Sequence, residues 1–158
     1  MRTWHIWNSI RFKLPKVPWH QFVWHKLNIT RYAHCEWLAC HGRLSTFHRL
    51  ALFGIDIMPH YLLCAGGIET LDHLLVSCLY SSFILHKLVN MVHDTSTAGF
   101  PTWLGLLTAW GNNGIAIHRN LLLLMAQIFC YHIWRERNAR LHGKRLSRPE
   151  HFVRRDYH

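Results

Sequence analysis

Residues 59–78, PHYLLCAGGIETLDHLLVSC, gather more metal-binding chemistry than any other stretch of this chain. Cys64 is followed after eight residues by His73, and His73 after four more by Cys78. Zinc takes cysteine sulfur and histidine nitrogen tetrahedrally, and in structural sites it takes four protein ligands. The Cys-x2-Cys pair that commonly opens such a site would put a cysteine at position 61, where the chain has Tyr61, and His60 is the nearest replacement. Gly66-Gly67 signals a turn, and Thr70 is placed to cap a helix through Leu71, Leu74, Leu75 and Cys78. On an ideal α-helix, residues five apart stand about 140° apart around the axis. Cys78 must therefore sit where the helix frays or turns, with the Cys64 loop folded back onto it.

Upstream, the apolar residues from Phe22 to Ile29 settle into no single period, which leaves strand or irregular structure open there. From Arg31, Tyr32, Cys35, Leu38 and Ala39 recur at helical spacing as far as Cys40, and Gly42 ends that helix. Thr46 is the N-cap of a short helix with Phe47, Leu50 and Ala51, closed by Gly54. His34, Cys35, Cys40 and His41 resemble a second ligand set. On one helix, however, positions 34 and 41 lie about 10 Å apart along the axis, so these are read as core cysteines and interface histidines.

Downstream, Ser81 starts a helix with Phe83, Ile84, Leu88 and Met91, and residues 94–101 are a linker. Trp103, Leu106, Leu107 and Trp110 form a short helix that stops at Gly111-Asn112-Asn113-Gly114. A last, long helix runs from Ala116 to Leu141, apolar nearly all round in its first half, with Gly143 as its stop. Its second half carries Arg137, Arg140 and Lys144 at spacings of three and seven, followed by Arg145 and Arg148. These five are the candidate phosphate contacts, and a merely solvated helix face is the other reading. Residues 1–18 form a basic, aromatic leading segment, weakly ordered around Pro15 and Pro18. Its tryptophans either pack on the domain or stack on single strands. Residues 19–142 are the domain proper, and 143–158 a basic tail. The fold class is mainly α: a small irregular helical bundle around a knuckle-like loop-helix and the long C-terminal helix.

The chain has 158 residues, half of them apolar and eight of them tryptophan, enough for one cored domain. Its 18 basic against 8 acidic residues leave a formal charge of +10, which favours a polyanionic partner, RNA or DNA ahead of a membrane surface. Five irregularly spaced cysteines and no secretory leader point to an intracellular, reducing compartment. The most apolar run, Leu121–Trp134, contains Gln127 and His132 and is shorter than the roughly 20 residues of a membrane span.

Five separated blocks resemble the zinc-binding domain found near the C-terminus of reverse transcriptases of LINE-type retroelements, common in plants. They are Trp24; Trp37-Leu38-Ala39; Arg43-Leu44-Ser45-Thr46 with Arg49-Leu50 and Gly54; Cys64, Glu69-Thr70, His73-Leu74 and Cys78; and Ile133-Trp134 with Arg137-Asn138. The resemblance spans Trp19 to Leu141, and it departs from the family pattern at Tyr61. It implies a zinc ion on Cys64, His73 and Cys78, with His60 or water as fourth ligand, and a nucleic-acid partner reached in the nucleus. Two other readings of the three ligands stay open: a decayed site whose thiols fill the core, and a catalytic zinc or Cys-His nucleophile oriented by Glu69 or Asp72. Polymerase chemistry is not expected. Nucleotidyl transfer needs carboxylates for two metal ions, and the chain has no Asp-Asp pair and no Tyr-x-Asp-Asp motif. The expectation is a non-catalytic accessory domain. Its alternative is a metal-free structural or protein-interaction module.

Overall fold

A computed structural model describes residues 3–10, 15–55, 63–64, 67–91 and 100–143, with the backbone alone at Trp4 and Asn8. Among these residues there are helices and turns and no strand. The helices are α1 (Thr3–Ile10), α2 (His20–Val23), α3 (Thr30–Cys40), α4 (Phe47–Leu52), α5 (Leu79–Met91), α6 (Trp103–Gly111) and α7 (Ala116–Leu141). A π turn at His73–Ser77 precedes α5. The segment left open between strand and irregular structure is the short helix α2 followed by turns. The helix expected from Ser81 begins two residues earlier, at Leu79, and Ser81 lies buried inside it.

The long C-terminal helix has the expected bounds and is the axis of the bundle. It packs chiefly on α3 and α6, and also touches α2, α5 and the π turn. Leu122, Leu123, Ala126, Phe129, Cys130 and Ile133 recur at three and four along it, and all six are buried. Removing such a stripe from water is the main term holding a helix in place. The first two turns depart from the all-round apolar reading: Ile117 and Leu121 are exposed. Trp103, Leu106, Leu107 and Trp110 bury the inner face of α6, as their spacing predicts.

On α3 the buried face is Ala33, Cys35, Glu36 and Ala39, while Tyr32 and Leu38 are half-covered. The face is thus rotated to take in a carboxyl group that hydropathy alone would place in solvent. The expected caps form: Thr46 Oγ1 accepts from the Arg49 N–H at 3.4 Å and Thr70 Oγ1 from the His73 N–H at 3.1 Å. Gly42, Gly54 and Gly143 follow α3, α4 and α7 with φ of 60°, 74° and 68°, the left-handed geometry that ends helices.

Candidate metal centre

Cys64, His73 and Cys78 come together. One ligand atom from each lies within 4.8 Å of the others, and Cys64 Sγ stands 3.3 Å from His73 Nε2. The π turn is what makes this arrangement reachable. The Cys78 N–H donates to the His73 carbonyl at 2.8 Å, five residues back, so the ladder opens by one residue and carries residue 78 round toward residue 73. Cys78 then leaves the helix with φ −64° and ψ 131°. Gly67, at φ +84°, turns the Cys64 loop over the imidazole, so that a Cβ there would stand 3.6 Å from the ring.

Two thiolates and a neutral imidazole suit zinc, whose bond lengths imply ligand separations of about 3.6 Å for S···N and about 3.8 Å for S···S. The observed separations lie within an ångström or so of these, so the donor set and its spacing fit the ion. Among the described residues this group has three members. His60, the expected fourth, lies outside them.

The pair Glu69-Thr70 ties the centre to the bundle. Thr70 starts the helix that carries His73. Glu69 is buried, and its Oε1 accepts from the Phe47 N–H at 3.0 Å while its backbone carbonyl accepts from the His48 N–H at 3.2 Å. With the Thr46 cap, the first donors of α4 are thereby satisfied, which a six-residue helix needs. Two residues on, Asp72 Oδ1 accepts from the Trp103 N–H at 2.8 Å and so, beside the Thr102 cap on the Gly105 N–H at 3.1 Å, satisfies the first donor of α6.

Two of the arginines assigned to a phosphate-facing surface turn inward instead. Arg137 is 2% exposed and donates from Nε and Nη2 to the Glu69 carboxylate at 2.8–3.1 Å. Phe47 and Trp134 flank its guanidinium at 4.4 and 5.1 Å. Arg140 pairs with Glu136 at 3.0 Å, donates to the Leu63 carbonyl at 3.5 Å and covers the Tyr80 ring at 4.5 Å. A charge spacing that reads as a solvated or phosphate-facing stripe is thus used to hold α7 against both ends of the ligand loop. Burial and the nearby Glu136 push the Tyr80 hydroxyl pKa up to about 12. Lys144, Arg145 and Arg148 lie outside the described residues.

His34, Cys35, Cys40 and His41 chelate nothing together. His34 stacks on Trp37, and His41 lies edge-on to Trp19 and Trp37. Cys35 faces Cys130 across the α3–α7 contact; that thiol hydrogen bond lowers the Cys35 pKa and raises that of Cys130, which burial raises further. Burial also drives Glu36 well above the usual carboxyl range, with Gln127 offsetting part of the shift. No sequence signal beyond its position near the α3 stripe marks Glu36 as an inward residue.

The chain matches the protein family described as zinc-binding in reverse transcriptase over residues 2–84, more than half its length. The match ends within α5, so it includes Cys64, His73 and Cys78 and stops short of α6 and α7. No curated protein sequence and no solved structure matches it.

Proposed function

We infer that this chain, which belongs to the family described as zinc-binding in reverse transcriptase, is a non-catalytic accessory domain of LINE-type retroelement origin that holds one structural zinc ion and contacts RNA or DNA. The observation that carries the reading is the convergence of Cys64, His73 and Cys78 within 4.8 Å. His60 is assigned as the fourth ligand. When bound, the ion cross-links loop and helix and adds its binding free energy to folding. The protein's own residues do the rest: Gly67 turns the loop, Thr70 starts the ligand helix, and Glu69 and Arg140 anchor the segment to α4 and α7.

The +10 charge supports the nucleic-acid partner and, with it, a nuclear location. Lys144, Arg145 and Arg148 remain assigned to phosphate contact, whereas Arg137 and Arg140 are assigned to the fold. Among the described residues no helix is long and apolar enough to cross a membrane.

Native mass spectrometry of protein purified with zinc tests the metal assignment. One ion per chain is expected, lost in Cys64→Ser and in His60→Ala. A folded wild-type protein that carries none would leave the metal-free structural module as the reading. Retention of the ion in His60→Ala alone would move the fourth position to water.

A further inference from the structure

A cleft of about 620 Å³ opens between the α2–α3 connection and the start of α7, within the range of small-molecule and nucleotide sites. One wall carries Lys26 and Leu27, the other Ile117, Arg119 and Asn120, and His25 lines the space between them. No carboxylate lines it. Most described cations are already engaged: Arg137 and Arg140 in ion pairs, Arg31, Arg43, Arg49 and Lys87 over aromatic rings. Among the described residues Lys16, Lys26, Arg119 and Arg135 have no ion pair or ring contact, and two of these four, Lys26 and Arg119, line this one cleft.

The end of α7 adds to their field. A helix start carries the equivalent of about half a positive charge and turns its first N–H groups outward. In α7 the N-cap residue Ile115 makes no side-chain cap, and the first turn holds no acid. His25 supplies an observation independent of the helix. It is 6% exposed, and its Nδ1 accepts the Leu27 N–H at 3.3 Å, which places the proton on Nε2. That buried Nε2–H meets no acceptor in strict hydrogen-bond geometry, and Gln127 is the side chain it interacts with.

We propose that this cleft is a nucleotide subsite: a phosphodiester group of a single strand sits between Lys26 and Arg119 over the start of α7, with sugar or base against Leu27 and Ile117. The proposal rests on the nucleic-acid reading above and gives it a location away from the basic tail.

The test is fluorescence anisotropy of a labelled single-stranded oligonucleotide, titrated with the full chain at several salt concentrations. Two double variants are compared, Lys26→Glu/Arg119→Glu and the control Lys87→Glu/Arg135→Glu, which changes net charge equally on other surfaces. All four positions are polar side chains outside the core, and circular dichroism checks each fold. The cleft variant is expected to bind at least about tenfold more weakly than the control. Its salt slope should fall by about 0.7, the contribution of one single-strand phosphate contact. Equal weakening in both variants overturns the cleft and leaves a diffuse electrostatic partner. No binding by the wild type at low salt overturns the nucleic-acid reading and the cleft with it.

Discussion

Glu69 and Arg137 stand 68 residues apart in the chain and meet in a buried ion pair with contacts of 2.8–3.1 Å. Glu69 sits five residues after Cys64 and four before His73, so the pair fixes the ligand loop to the central helix. The same carboxylate accepts the first N–H of α4. Three elements therefore depend on one side chain that the sequence offers only as the neighbour of the Thr70 cap or as an orienter of His73.

Removing either partner strands a buried charge, which typically costs about 3–5 kcal/mol. Urea unfolding of Glu69→Gln and Arg137→Met should each show a loss of that size. The double variant should lose clearly less than their sum, because neither charge is then left alone. Additive losses would mean that the two residues act independently and that the pair does not organise the loop.

The parts of this fold governed by local rules were readable in the residues. Periodicity placed α3, α6 and α7, side-chain oxygens placed Thr46 and Thr70 at helix starts, and glycines closed three helices. The parts that depend on partners distant in sequence were not. Nothing near Arg137 indicates that Glu69 will meet it, so a solvent or phosphate role was the default for a charge at that spacing. Helix geometry makes the approach of His73 and Cys78 a requirement, but its means, a π turn, is a backbone adjustment that no residue type announces. The turn signal at Gly111 was likewise correct in place and incomplete in reason, as its contact with Phe22 shows.

A Cβ built on Gly111 would stand 2.2 Å from the Phe22 ring. Helix α2 packs on α6 at this point, and Phe22 is buried. Gly111→Ala should therefore displace the ring and cost about 1–3 kcal/mol as an overpacking change. By contrast, Gly114→Ala, with open space at its Cβ, should lie within about 0.5 kcal/mol of wild type. Thermal melts of both variants give the comparison, and equal stability would show that the contact is not tight.

Asp72 contributes across a connection of thirty residues by closing α6 at the Trp103 N–H. Asp72→Ala should cost about 1 kcal/mol, as for the loss of an N-cap. It should leave the zinc stoichiometry at one per chain, because the aspartate is not a ligand. Loss of the ion together with the cap would assign Asp72 to the metal centre.

Chelation of the metal should lower the melting temperature of the wild type. With zinc at a thousandfold excess over its dissociation constant, linkage gives about 4 kcal/mol, equivalent to roughly 10 °C in a chain of this size. Cys78→Ser should melt low from the start and be insensitive to the chelator. If chelator leaves the wild-type melt unchanged, the three ligands act as core side chains only.

Glu36 and His25 set opposite pH limits on the same core. Burial raises the Glu36 pKa well above that of a free glutamate and lowers the His25 pKa, the latter partly offset by Gln127. For Glu36 the folded state holds its proton more tightly than the unfolded state. Its contribution is therefore complete below about pH 4.3, the unfolded value, and declines by about 1.4 kcal/mol per pH unit until the raised value is reached. His25 behaves in reverse: its contribution is complete above about pH 6.5 and is lost as pH falls through the lowered value. Glu36→Gln removes the first dependence and leaves the second, so the histidine cancels when the two proteins are compared. The variant should gain on the wild type as the pH rises above about 5, read from urea midpoints at each pH. A difference that does not change with pH would mean that Glu36 ionises within the folded protein as freely as in the unfolded chain, and that water reaches the α3–α7 core.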